Sequence, residues 1–277
     1  MSLIFSNIPS LIYKFYVTGG AIVIHLKNKL AAREYSPGSW ITLAHTSIAE
    51  IMARAGFEWL TVDMEHSAIS LPEAQQLIQV IGLCGAVPLV RVGENNSLLI
   101  KRVMDAGAGG IIVPMVNSKE DAKRAVASVH YPPSGKRGVG LARAQGYGLD
   151  FPAYKAWVDR ESIIIVQIEH IDAIKNLEEI LATPGVDGSI IGPYDLSGSL
   201  GYPGEFERVE VKEALHTYEH ICTLMKKPMG FHIVQPDASK VAHYREKNYS
   251  FIAVGLDTLY LAEKCREVLA RSAPSHE

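Results

Sequence analysis

From Ser39 onward the chain repeats one unit, a short apolar, mostly β-branched run followed by a longer stretch with apolar positions at helical spacing. The runs Ser39–Ala44, Trp59–Met64, Val87–Val92, Gly110–Met115, Ile163–Glu169, Val186–Gly192, Met229–Val234 and Phe251–Val254 read as strands. Ser47–Gly56, Leu71–Cys84, Leu98–Gly107, Ser118–His130, Ile171–Ala182 and Val209–Lys226 read as helices, with Gly56, Gly85 and Gly107 at helix stops. Most strand runs lack period-two alternation, so both faces are expected to be covered, as in a parallel sheet. Roughly eight such units predict an α/β fold of the (β/α)8 barrel type rather than an open doubly wound sheet.

Two stretches break the rhythm. No dinucleotide fingerprint follows the first strand, and Gly107-Ala-Gly-Gly110 precedes a strand instead of opening a helix. Tyr131–Arg160, rich in Pro and Gly, reads as a long and therefore functional loop. At the N-terminus, Leu11–Leu26 is apolar but interrupted by Lys14, Gly19, Gly20 and His25, too broken for a membrane span. It also lacks the basic leader and small-residue cleavage site of a signal peptide. Residues 1–25 are expected to be an extension without assigned role, and 26–277 a single barrel domain.

Composition narrows the classes. With 48% hydrophobic and 21% charged residues over 277 positions, the chain can build a substantial core. The net charge of −3 and the scattered Lys and Arg give no footprint for nucleic acid or a membrane surface. Cys84, Cys222 and Cys265 form no paired motif. They fit a reducing cytoplasm and are expected to be buried small hydrophobes.

A parallel barrel gathers chemistry at the C-terminal ends of its strands. There the sequence places Asp63, Glu65 and His66, then Arg91, then Gln167, Glu169 and His170, then Gly192, Pro193 and Asp195, and finally His232. Singly, each has a plain explanation: Arg91 as a salt-bridge partner, Asp195 as a helix cap, Asp63, Glu65 and His66 as a local ion cluster. Jointly they point to function. Glu169 and Asp195 close consecutive apolar strands, where a charge must pair, leave or bind a cation. Hard oxygen donors favour Mg²⁺ or Mn²⁺ over zinc. Arg91 offers a fixed positive fork for an oxyanion, and His66 a group that titrates near neutral pH.

These segments resemble the HpcH/HpaI aldolase family of metal-dependent pyruvate aldolases. The resemblance rests on residues 55–67 (Ala-Gly-Phe-Glu-Trp-Leu-Thr-Val-Asp-Met-Glu-His-Ser), Pro88-Leu-Val-Arg-Val, Val113-Pro-Met-Val, Tyr131-Pro-Pro-Ser-Gly-Lys-Arg-Gly-Val-Gly, Val166-Gln-Ile-Glu, residues 186–197 and Ile252-Ala-Val-Gly-Leu-Asp. It implies Glu169 and Asp195 as ligands of Mg²⁺, Mn²⁺ or Co²⁺, and Arg91 as the stabiliser of a pyruvate enolate. It also implies a His66–Asp105 proton-transfer dyad, and a pocket formed by Trp40, Gln167, His232 and the backbone amides near Gly192 and Pro193. The implied reaction is reversible cleavage of a 4-hydroxy-2-oxo acid to pyruvate and an aldehyde. The implied assembly is a homo-oligomer, a hexamer or trimer with a domain-swapped last helix.

The chain departs from the family at three positions. His170 stands where a small hydroxyl residue is usual, His232 where an aliphatic one is, and Met64 where a Gly is. Rival readings are an acyl-CoA lyase of the citrate-lyase β type, a non-catalytic 2-oxo-acid-binding barrel, and a Schiff-base aldolase. The last lacks a Lys at any strand end.

Overall fold

The computed structural model describes residues 20–272 as a closed barrel whose eight parallel strands pair in sequence order, β8 returning to β1. The strands are β1 Ser36–Ile41, β2 Trp59–Asp63, β3 Val87–Arg91, β4 Gly110–Val113, β5 Ile163–Ile168, β6 Gly188–Ile191, β7 Met229–Ile233 and β8 Tyr249–Leu256. Around them run α1 Gly20–Ala32, α2 Thr46–Arg54, α3 Leu71–Leu83, α4 Ser97–Asp105, α5 Lys119–Val129, α6 Phe151–Glu161, α7 Ile171–Lys175, α8 Leu177–Leu181, α9 Pro193–Ser199, α10 Val209–Leu224, α11 Ala238–Glu246 and α12 Asp257–Ser272. β5 is buried at every position, as its unbroken Ile-Ile-Ile-Val-Gln-Ile run requires of a strand covered on both faces.

Four expectations shift. The first strand begins three residues before its expected start, taking in Ser36, Pro37 and Gly38. Gly38 is there for space: a Cβ on it would lie 2.0 Å from the Trp59 ring. That ring stacks on Phe251 at 4.0 Å and donates from Nε1 to the Ser36 carbonyl at 3.2 Å. Within the expected loop Tyr131–Arg160 lies α6, whose Tyr154, Trp157 and Val158 are buried behind Pro152 in the first turn. The single helix expected over Ile171–Ala182 is two short ones divided at Asn176. Finally, only Cys222 of the three free cysteines is a buried hydrophobe, and burial pushes its thiol up to about 12; Cys84 is half-buried and Cys265 exposed.

The expected extension 1–25 falls largely outside the described residues. The part inside them belongs to α1, which runs past residue 25 and buries Val23, Leu26 and Leu30. Lys27 of this helix pairs with Asp187 at 3.0 Å and donates to the Ser162 carbonyl at 2.6 Å, tying α1 to the starts of β5 and β6. No helix among the described residues is long and apolar enough to cross a membrane.

Asp257 fastens the closure. At 4% exposure, its Oδ2 accepts from the amides of Thr42 and Leu43, each at 2.8 Å, and its Oδ1 from the Thr42 hydroxyl at 2.6 Å. Charge-assisted bonds of this kind are worth more than neutral ones, and removing the acceptor orphans the amides. Asp257→Ala is therefore expected to destabilise the fold by about 2–4 kcal/mol, read as a lower urea midpoint at unchanged m-value.

Candidate active site

The site is organised by an ion pair at the ends of β2 and β3. Asp63 and Arg91 are register partners in the parallel ladder. Arg91 donates from Nε to Asp63 Oδ1 at 2.9 Å and from Nη2 to Oδ2 at 2.7 Å, a bidentate fork. Oδ1 also accepts the amides of Glu65 and His66, turning the chain so that both side chains stand on the rim. Burial alone would raise the Asp63 carboxyl, but the Arg91 hydrogen bonds and charge and the two amides outweigh it and hold it below its ordinary value. The third guanidinium nitrogen, Nη1, reaches Glu65 Oε2 at 3.2 Å, and the guanidinium carbon sits 4.3 Å from the centre of the Trp40 ring.

Glu65 is the rim residue that the sequence offers only as part of a local ion cluster. Burial raises its carboxyl; the Arg91 charge opposes this, and Glu169, Asp63 and Asp195 add to it, leaving it at about 7. A carboxyl so poised near a cleft is a mark of function. The signal was its place in Asp63-Met-Glu-His66, two residues past the strand end.

Across the rim, Glu169 is 3% exposed. Its Oε1 accepts the Met115 amide at 2.7 Å and its Oε2 accepts from Gln167 Nε2. Met115 holds a left-handed φ of 51°, a strained conformation for a non-glycine residue. Burial raises the Glu169 carboxyl, and the Gln167 and Met115 hydrogen bonds only partly offset it; the Asp195 charge raises it further. Asp195 stands exposed in the first turn of α9. Neither Glu169 nor Asp195 has a salt-bridge partner among the described residues. Gly192 closes the gap, since a Cβ on it would lie 3.1 Å from Glu169 Oε2. Its own amide is committed to the Ile168 carbonyl at 2.9 Å, so the uncommitted amides of that turn are those of Tyr194 and Asp195.

A cavity of about 490 Å³ opens beside these groups, with Trp40, Arg91, Gln167, Gly192, Asp195 and His232 among its walls. Pro193 lines it as well. The expected pocket residues are thus brought together. The expected pair His66–Asp105 is not joined within one copy of the chain. His66 is largely exposed with Glu65 at 3.9 Å, while Asp105 Oδ1 accepts from Arg137 Nη2 at 2.5 Å and Gln145 Nε2 at 2.9 Å. His170 serves α7, its Nδ1 accepting the Asp172 amide at 3.1 Å as an N-cap, the role a hydroxyl residue would fill. Among the described residues no three His, Cys, Asp or Glu side chains gather into a ligand set. Two carboxylates without a salt-bridge partner among the described residues suit a hard ion that keeps open positions.

His232 packs against Trp40 with ring centres 5.3 Å apart and lies 3.1 Å, through Nε2, from the Gly255 carbonyl. Burial lowers it to about 4, against the Gly255 hydrogen bond, so at neutral pH the ring is uncharged and Nε2–H is the donor. A base whose folded value lies below its unfolded one binds fewer protons when folded, so stability is full above about pH 6.5 and declines as pH falls towards 4. Because the ring is partly exposed, the effect is discounted to about 1–2 kcal/mol. His232→Leu is expected to lose less stability than the parent between pH 7 and pH 4.5, measured by urea unfolding at both.

Comparisons with known proteins place the chain in a family. The family model described as HpcH/HpaI aldolase/citrate lyase matches residues 37–263. A pyruvate aldolase from Rhizobium etli is 38% identical over 252 residues, covering 91% of this chain and 98% of that protein. A 2-dehydro-3,6-dideoxy-6-sulfogluconate aldolase from Pseudomonas putida is 38% identical over 87% of this chain and 96% of its own. The crystal structure of a HpcH/HpaI aldolase/citrate lyase family protein from Burkholderia cenocepacia superposes with a TM-score of 0.84 at 31% identity, over 90% of this chain and 98% of that one. The matched region reaches every strand of the barrel and includes Glu169 and Asp195, and the chain belongs to the HpcH/HpaI aldolase/citrate lyase family.

Proposed function

We propose that the protein is a class II pyruvate aldolase, a carbon–carbon lyase that reversibly cleaves a 4-hydroxy-2-oxo acid to pyruvate and an aldehyde. The observation that carries this is the pairing of Glu169 and Asp195, carboxylates with no salt-bridge partner among the described residues, near an Arg91 locked by Asp63 and Trp40, with Arg91 and Asp195 lining one cavity. Glu169 and Asp195 would hold a divalent ion such as Mg²⁺, Mn²⁺ or Co²⁺. When bound, such an ion supplies Lewis-acid polarisation of the 2-oxo group and draws off enolate charge.

The chain's own residues do the rest. Arg91 presents a rotationally fixed guanidinium to the developing oxyanion, and the fork to Asp63 avoids reorganisation during the reaction. Gln167 orients Glu169 and leaves its remaining N–H and its carbonyl for substrate. Trp40 and His232 form an aromatic wall that excludes water from the carbon that becomes C3 of pyruvate. The amides of Tyr194 and Asp195 receive the substrate carboxylate. Glu65, whose carboxyl burial raises, and the adjacent His66 are the groups placed to take the C4 hydroxyl proton and to return one at C3.

We read the working form as a homo-oligomer. α12 buries only Asp257 while exposing Leu261, Val268 and Leu269, and the segment from Val139 to Leu149 exposes Val139, Leu141, Tyr147 and Leu149. Apolar faces of this kind mark protein contacts.

Glu169→Gln and Asp195→Asn are each expected to abolish metal-dependent exchange of the pyruvate C3 protons for deuterium, followed by NMR, together with aldol cleavage. Undiminished exchange in either variant overturns the assignment. Arg91→Ala is expected to lower kcat by roughly 10²–10³-fold while the metal affinity, measured calorimetrically, changes little. Saturable pyruvate exchange without added CoA separates this reading from the acyl-CoA lyase, and turnover of any 4-hydroxy-2-oxo acid separates it from a binding-only barrel.

A further inference from the structure

The Lys and Arg residues that look scattered in the sequence converge once, away from the rim. A cleft of about 750 Å³ between α4 and α5 is lined by Lys101, Lys123, Arg124, Lys136 and Arg137, with Glu120 the one acidic residue among the described lining. This local excess of cations sits on a chain whose net charge is −3. Two of the lysines, Lys101 and Lys136, have no ion-pair partner among the described residues. Lys123 has only a loose one, 3.9 Å from Glu120, while Arg124 is matched to Asp121 at 2.5 Å. Arg137, 2% exposed, forms the inner wall; it is fixed to Asp105, yet its buried Nε–H finds no acceptor. Ser97 and Ser128 add hydroxyls to the lining.

Confining like charges around a concave surface costs self-repulsion, which a bound anion relieves. A buried donor without a partner is equally unusual in a finished structure. We propose that this cleft is a binding site, separate from the active site, for a small polyanion carrying two or more phosphate or carboxylate groups. Among the described residues no aromatic ring lines the cleft, so a base or nicotinamide gains no stacking surface from them, and the recognised chemistry is the anionic groups themselves. Its dimensions suit a bisphosphorylated sugar or a tricarboxylate better than a single inorganic phosphate.

The test is calorimetric titration of the full-length, Mg²⁺-loaded protein with fructose 1,6-bisphosphate, and separately with citrate. Expected is saturable binding that survives saturating pyruvate and weakens steeply as salt is raised to about 0.2 M. It should fall at least tenfold in Lys101→Ala/Lys136→Ala, with aldol cleavage in the absence of the anion unchanged. Binding of either probe with these properties supports the site, and the stronger one assigns it to phosphates or to carboxylates. Displacement by pyruvate, affinity unaltered by the double substitution, or no binding at millimolar concentration overturns it. Lys136→Glu alone, on an exposed loop position, gives the same discrimination should the double variant fold poorly.

Discussion

The fork between Arg91 and Asp63 is the constraint on which the rest of the site depends. It bridges the C-terminal ends of adjacent parallel strands at positions that already face each other in the ladder. The barrel's hydrogen bonding therefore aligns the pair before any side chain chooses a rotamer. Three consequences follow from one carboxylate. Its second lone pairs gather the Glu65 and His66 amides and set the turn; its charge fixes the guanidinium over Trp40; and its low proton affinity leaves Arg91 fully partnered but still directed at the cavity. Buried ion pairs add little stability over apolar packing, so this one is better understood as a positioning device.

The same physics splits the rim carboxylates into two groups. Asp63 has the cation and stays ionised; Glu65 and Glu169 are left to burial and to one another, and both are pushed up. Four acidic groups around one guanidinium is an arrangement the chain does not neutralise by itself. A divalent ion held by Glu169 and Asp195 would remove the largest part of that excess. Binding of the ion and proton affinity of Glu65 are therefore coupled: when one rises the other falls, because they answer the same local charge.

The barrel was legible because a strand buried on both faces must be an unbroken apolar run, and the Gly stops punctuated the helices between. What escaped was set by neighbours distant in sequence. Gly38 lies before the expected first strand, yet Trp59, twenty-one positions on, occupies the space a Cβ would need. α6 hid inside a Pro- and Gly-rich stretch because its apolar positions are few and their value lies in packing around Arg137 and Tyr131. In the site, Arg91, Glu169, Asp195 and His232 were legible as charged or polar residues at the ends of apolar strands. Glu65 was legible only as part of a local ion cluster, since its raised proton affinity comes first from burial and then from carboxylates that the fold brings close. The cleft cations were not legible, since Lys101 and Lys136 are thirty-five positions apart and adjoin only in three dimensions.

The histidines that depart from the family pattern separate on the same grounds. His170 accepts a backbone amide at the mouth of α7 and does locally what a hydroxyl would do, so its substitution changes the cap and leaves Glu169's two hydrogen bonds in place. His232 is different, because it changes the chemistry of the cavity wall itself. Its Nε2–H is directed to Gly255, and the uncharged ring leaves Nδ1 as an acceptor with no partner among the described hydrogen bonds. Trp40 beside it is 3% exposed, with an indole N–H that has no acceptor. An aliphatic wall would be indifferent to a hydroxyl on the substrate; one offering an unpaired donor and an unpaired acceptor is not, since a ligand lacking that group leaves both unsatisfied. Under the proposed function, selectivity among 2-oxo acids would be set at Trp40 and His232, beside the Arg91 guanidinium that would hold the enolate.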